Sequence, residues 1–112
     1  MEGVETNFIM KIRFSELAAY KLQLITKYLE YEWNVSVKEN FVSKLNTTIK
    51  NIAVSPKMYP ASMLDKNLRK CVLTKHTSIF YEIQKEAIFI LTIIDNRQDP
   101  TKIYKELKEL FG

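Results

Sequence analysis

Apolar and polar residues first alternate in FIMKIRF, Phe8–Phe14, with Ile9 able to face one side and Met10 the other. That period of two predicts a strand. Residues 1–7 carry no such pattern and read as a loose tail, and translation from Met10 is plausible because patterning begins there. Ser15 then has the chemistry of a helix N-cap. Leu17, Ala18, Leu24, Ile25, Tyr28 and Leu29 follow at helical spacing, which predicts one buried stripe on a helix reaching about Trp33. SVKE, Ser36–Glu39, fits a capping box and predicts the start of a second helix. Its apolar face is Phe41, Val42, Leu45, Ile49, Ile52 and Ala53. With only Asn34 and Val35 between them, the two helices are expected to form an antiparallel hairpin.

SPKMYPASMLDKN, Ser55–Asn67, has two prolines and no period, so it reads as a loop. It is long for a small domain, which hints at function. Three strands are predicted after it. LRKCVLT alternates. SIFYEIQ places Ile79, Tyr81 and Ile83 on one side. AIFILTII is apolar on both faces except at Thr92, as a central strand must be. The short turns between them predict an antiparallel meander. Asp99 and Pro100 have the character of an N-cap and a first helical residue, and TKIYKELKEL gives a short closing helix. The expected fold is therefore α+β: an N-terminal strand, a helical hairpin, a three-stranded antiparallel meander forming one sheet, and a short C-terminal helix. The hairpin covers one sheet face. The other is expected to be partly open, bordered by the long loop and the last helix.

The length of 112 residues suits one domain, placed at 10–112 with residues 1–9 as the extension. No apolar run approaches the roughly 20 residues of a membrane span, and the first residues are not those of a signal peptide. The single cysteine, Cys71, excludes an internal disulfide and a cysteine metal cluster, and suggests a reducing, cytoplasmic setting. The net charge of +4 comes mainly from the part after residue 55. It permits an acidic protein or a nucleic acid as partner and selects neither.

Four segments in order resemble the RelE/ParE family of bacterial toxins: IRFSELAAYKLQLITKYLEYEW, FVSKLNTTIKNIAVSP, LRKCVLTKHTSIFYEI and IFILTIIDNRQDP. The last, an apolar strand running into Asn-Arg-Gln-Asp-Pro, is similar to the ParE-like branch. The resemblance implies the toxin of a two-gene type II toxin–antitoxin, or plasmid-stabilisation, system, which inhibits growth until a cognate antitoxin wraps it. RelE-like members enter the ribosome and cut messenger RNA; ParE-like members bind and poison DNA gyrase.

Metal-free RNA cleavage needs a base for the 2′-OH, cations for the developing charge and an acid for the leaving oxygen. By resemblance to the nuclease branch, Arg69, Arg97 and Tyr104 are the candidate catalytic residues, and Lys57, Lys66 and Lys70 the candidate phosphate or target contacts. Each has a structural alternative. Arg69 can pair with Glu82 or Asp95. Arg97 can close its own turn with Asp95 and Asp99. Tyr104 can anchor the last helix with Ile103, Leu107 and Leu110. The lysines can simply be solvated.

Histidine is the side chain suited to general-base work at physiological pH, but His76 sits in a tight turn, so no catalytic role is assigned to it. No metal site, phosphate-cradling glycine loop or cofactor is expected. The chain ends KELFG, without the terminal His or Tyr of some RelE-like nucleases. The expectation is a ParE-like, gyrase-directed toxin with an antitoxin partner and a weak tendency to homodimerise. A ribosome-dependent endonuclease, or a decayed toxin that only binds antitoxin, are the alternatives.

Overall fold

The computed structural model describes residues 9–62 and 67–111. Except for Ile9, the predicted N-terminal extension lies outside these, as does Lys66. The elements are β1 (Lys11–Phe14), α1 (Glu16–Glu32), α2 (Val35–Val54), β2 (Leu68–Thr74), β3 (Thr77–Ile83), β4 (Ala87–Asp95) and α3 (Pro100–Phe111).

β2, β3 and β4 form the expected antiparallel meander, and β4 is internal to the sheet, in the order β1-β4-β3-β2. β1, however, pairs parallel to β4, Lys11 beside Ala87 through Phe14 beside Ile90, so the sheet is mixed. The hairpin of helices lies between β1 and the meander in sequence and acts as the long crossover that a parallel pair requires.

A register shift separates the pairs Tyr81–Ile90 and Phe80–Thr92 and leaves Leu91 as a bulge. Ser15 serves this irregularity and the start of α1 together. Its hydroxyl accepts from the Ala18 amide at 2.9 Å and donates to the Leu91 carbonyl at 2.7 Å.

The main core lies between the sheet and the hairpin. Ala18, Phe41, Leu45, Ile52, Cys71, Ile79, Tyr81, Ile88 and Ile90 meet there, with Ile25 and Leu29 half-buried. The single stripe expected on α1 is in fact two. Ala18, Ile25 and Leu29 turn inward, whereas Leu24 and Tyr28 are exposed. The reason is geometric: at about 100° per residue, the mean direction of positions 24 and 28 is turned roughly 115° from that of 22, 25 and 29. α2 also starts earlier than expected. Its cap is Asn34, whose side chain accepts from the Val37 amide at 2.9 Å, so Ser36 lies within the first turn and Val35 begins the helix.

The sheet face expected to be partly open is crossed by α3. Leu107 is buried and Ile103 half-buried against Leu68, Phe80, Leu91 and Ile94. Tyr104 and Leu110 are exposed, so neither anchors the helix. Thr92, the one hydroxyl residue in the apolar run of β4, is fully buried and explains the docking of α3. It donates to Glu106 Oε2 at 2.8 Å and accepts from Lys21 Nζ at 2.9 Å, while Lys21 forms an ion pair with Glu106. One buried hydroxyl thus ties α1, β4 and α3 together and has both of its hydrogen-bonding functions used.

Thr92→Val keeps the shape and removes both bonds. It should cost about 1–3 kcal/mol, because Lys21 and Glu106 lose a partner in a half-buried place. Urea unfolding would measure the loss, and amide exchange would show it concentrated in α3.

Candidate functional site

The predicted site residues occupy two separate places. Arg69 pairs across the sheet with Tyr81, which in turn pairs with Ile90. Directly paired residues project to one side, so Arg69 faces the side of the helical hairpin. Its guanidinium donates to the Tyr59 carbonyl at 2.9 Å and more weakly to that of Lys57 at 3.5 Å, while its buried Nε has no hydrogen-bond partner. It pairs with neither Glu82 nor Asp95. The loop after α2 is held by this arginine, by the Tyr81 hydroxyl donating to the Pro56 carbonyl at 2.6 Å, and by a short bridge of Ala61 to Arg69. Lys70 donates its amide to the Pro60 carbonyl at 3.2 Å. Two loop carbonyls therefore take the cation that the nuclease reading needs on a phosphate.

Beneath the loop, Tyr59 meets Tyr81 edge to face, with ring centroids 6.5 Å apart. Burial pushes the Tyr81 hydroxyl and the Cys71 thiol upward from their ordinary pKa values. Tyr59 is raised too, first by burial and then by its hydrogen bond with Cys71. These groups stay neutral at physiological pH, so none is a ready nucleophile.

Arg97 lies at the far end of β4, beyond Asp95, which pairs with Thr77 beside the His76 turn. At about 3.3 Å per residue, the strand end is roughly 15 Å from the level of Arg69. The arginine is mostly exposed and folded onto its own turn. Asp95 accepts from the Arg97 amide at 2.9 Å, from Nε at 3.0 Å and from an Nη at 2.9 Å. Asp99 caps α3, accepting from the Thr101 amide at 2.9 Å. The charged cluster that ends β4 is therefore a self-bonded turn followed by a helix start. Hydrogen bonds from Arg97 hold the Asp95 carboxyl below its usual pKa, and the same pair raises that of Arg97.

Lys70 is on the opposite sheet face from Arg69, its ammonium 5.9 Å from the centre of the Phe80 ring. Tyr104 is exposed on α3, with Lys108 5.8 Å from its ring centre. Because Glu106, two residues on, turns toward Lys21, Tyr104 points away from α1. Lys57 is exposed on the loop. Arg69 and Arg97 do not converge, and Tyr104 stands with neither. Among the described residues no group of three His, Cys, Asp or Glu could hold a metal ion, and no helix is long and apolar enough to cross a membrane.

Residues 12–100 match the family profile described as the ParE toxin of the type II toxin–antitoxin system parDE. The chain belongs to the ParE toxin family. No curated protein matches its sequence significantly. Among solved structures it is similar to the chromosomal ParDE system of P. aeruginosa, at 16% identity and a TM-score of 0.65, covering 80% of this chain and 98% of that one. It is also similar to free RelE toxin of E. coli, at 13% identity, a TM-score of 0.63, and coverage of 93% and 99%. The E. coli DinJ–YafQ toxin–antitoxin complex matches at 13% identity, a TM-score of 0.51, and coverage of 92% and 98%. These likenesses show a shared fold. They reach the ParE and RelE types about equally and do not rank gyrase against ribosome. What this ParE-family chain is by membership is a type II toxin.

Some features that matter here were not assigned from the sequence. The Tyr59–Tyr81–Cys71 cluster needs the loop folded onto β2. The outward aromatic set Tyr20, Tyr28 and Tyr31 had a signal in its spacing, but it merged with the inward stripe.

Two measurements test this geometry. Arg69→Ala should free the 57–59 segment, raising its rate of protease cleavage several-fold and lowering stability by about 1–3 kcal/mol; unchanged cleavage would mean the arginine does not hold the loop. Asp95 should titrate below the usual carboxylate range by carbon-13 NMR and move upward in Arg97→Ala. Because its folded pKa is depressed, the stabilising contribution of this turn is present above the unfolded carboxylate pKa of about 3.9 and is lost as pH falls through the folded value.

Proposed function

We propose that this type II toxin acts in the cytoplasm by binding DNA gyrase, and that a cognate antitoxin neutralises it by covering its exposed surface. The observation that carries the preference is the separation of Arg69 and Arg97. Metal-free RNA cleavage needs cations gathered around one phosphate. Here one arginine is engaged by loop carbonyls and the other by Asp95, roughly 15 Å apart along the sheet. Such an arrangement supports recognition of a target surface rather than bond breaking. The antitoxin follows from the family's two-component organisation and from the toxin–antitoxin complex among the similar structures. The same exposed apolar surface supports weak self-association of the free chain.

In a reconstituted reaction, the purified chain should inhibit supercoiling by DNA gyrase, and added antitoxin should restore it. Primer extension on messenger RNA from a reconstituted translation reaction should show no new ends. Ribosome-dependent cuts that disappear in Arg69→Ala would overturn this reading in favour of an endonuclease. Full gyrase activity and intact messenger RNA, with antitoxin binding retained, would mark a decayed toxin.

A further inference from the structure

The loop after α2 is fastened to the sheet mainly through its own backbone carbonyls. Arg69 donates to those of Tyr59 and Lys57, and the Tyr81 hydroxyl to that of Pro56. Of residues 55–62 only Pro56, Tyr59 and Ser62 are half-buried, and Met58 is 57% exposed. A surface segment that buries so little opens more readily than the core, and water takes up its freed carbonyls.

The groups beneath it are poorly served by the closed loop. Arg69 has five N–H donors in a planar fork. Among the described residues its hydrogen bonds all come from Nη1, one of them at 3.5 Å, and its buried Nε has no partner. The edge formed by Nε and the other terminal nitrogen is one that matches the two oxygens of a carboxylate. Tyr81 pairs directly with Arg69 across β2 and β3, so its hydroxyl is a further donor on the same side of the sheet.

We propose that the 55–62 loop is an autoinhibitory strap: its carbonyls stand in for the oxygens of a carboxylate, and it lifts when an acidic side chain of the target takes Arg69 and Tyr81 from them. The choice of an acidic side chain rests on the reading of this toxin as a binder of a protein. It also fits the site, where one guanidinium and one hydroxyl balance one negative charge, with Arg97 roughly 15 Å away along the strand direction. A carbonyl offers a dipole where a carboxylate offers a full charge and two oxygens, so the carboxylate displaces it. Opening therefore supplies a single anchoring cation for recognition, not a cleavage centre.

Cys71 reports the opening. It is the only cysteine of the chain and is 1% exposed. Tyr59 of the loop packs against it with a hydrogen bond to the thiol, so lifting the loop opens a path to a thiol reagent. Labelling by dithionitrobenzoate is followed in chloride, acetate and phosphate at one pH and ionic strength. Acetate should raise the rate several-fold and then saturate. Salting-out would act in the opposite sense, since it strengthens burial. Tyr81→Phe should label faster than the unaltered chain in chloride and still respond to acetate. Arg69→Gln should label rapidly and equally in all three salts. An acetate effect that is absent, or that persists in Arg69→Gln, overturns the strap. So does labelling that never exceeds the rate of global unfolding measured in urea. Phosphate lifting the loop where acetate does not assigns Arg69 to a nucleic-acid backbone and overturns the carboxylate. None of these readouts involves gyrase, so a failure of the gyrase reading shows separately, in the supercoiling assay.

Discussion

The structure is governed by a strand that water cannot reach. β4 runs through the sheet interior, and Ile88, Ile90, Leu91, Thr92, Ile93 and Ile94 are all buried. Such a strand needs a neighbour on each edge and a layer on each face. β1 and β3 supply the edges, the helical hairpin covers one face and α3 crosses the other. The bulge at Leu91 breaks the alternation that would otherwise fix which residues each layer meets, and it leaves a carbonyl that Ser15 satisfies. Thr92 makes the second layer specific: a hydroxyl buried at that point is tolerated only with its partners in place. Lys21 and Glu106 are those partners, so the position of a distant helix is tied to one atom in the middle of a strand.

The ends of the same strand explain why its charged residues are not gathered into one site. An antiparallel sheet fixes distance through register. Arg69 is level with Ile90, and Arg97 follows Asp95, so the two side chains leave the sheet roughly 15 Å apart along the strand direction. Each has also found local acceptors. Arg69 holds the loop together with the Tyr81 hydroxyl and the Lys70 amide, and the turn at Arg97 allows β4 to stop and α3 to begin within a few residues. Positive charge is spent on architecture here, which leaves the exposed aromatic surface as the more conspicuous means of recognising other molecules.

That surface arises from α1 having two apolar stripes. The inward one is made of small and aliphatic side chains that fit between the sheet and α2. The outward one is mostly tyrosine, whose ring is apolar and whose hydroxyl tolerates water. A helix built this way can stand in solvent as a free chain and still present a large contact area, as a member of a two-component toxin family must.

The sequence by itself determined the kinds and order of the elements. Periods of two and of 3.6 residues are local properties, and the caps at Ser15 and Asp99 are carried by single side chains. It also determined that β4 is central, because a run from Ala87 to Ile94 with a single hydroxyl side chain has no polar face to show. The family was legible for the same reason, since its marks are short words within those elements. Only the tertiary structure decided that β1 lies parallel to β4, that α3 covers the second face, and which half of the apolar residues on α1 turn inward. These depend on which surfaces meet, and long-range pairing leaves no local period. The site residues divide along the same line. That Arg97 would fold onto Asp95 was readable as one of two outcomes from six neighbouring residues. That Arg69 would be engaged by the carbonyls of residues 57 and 59 was not, because a loop's backbone acceptors have no signature in side-chain chemistry.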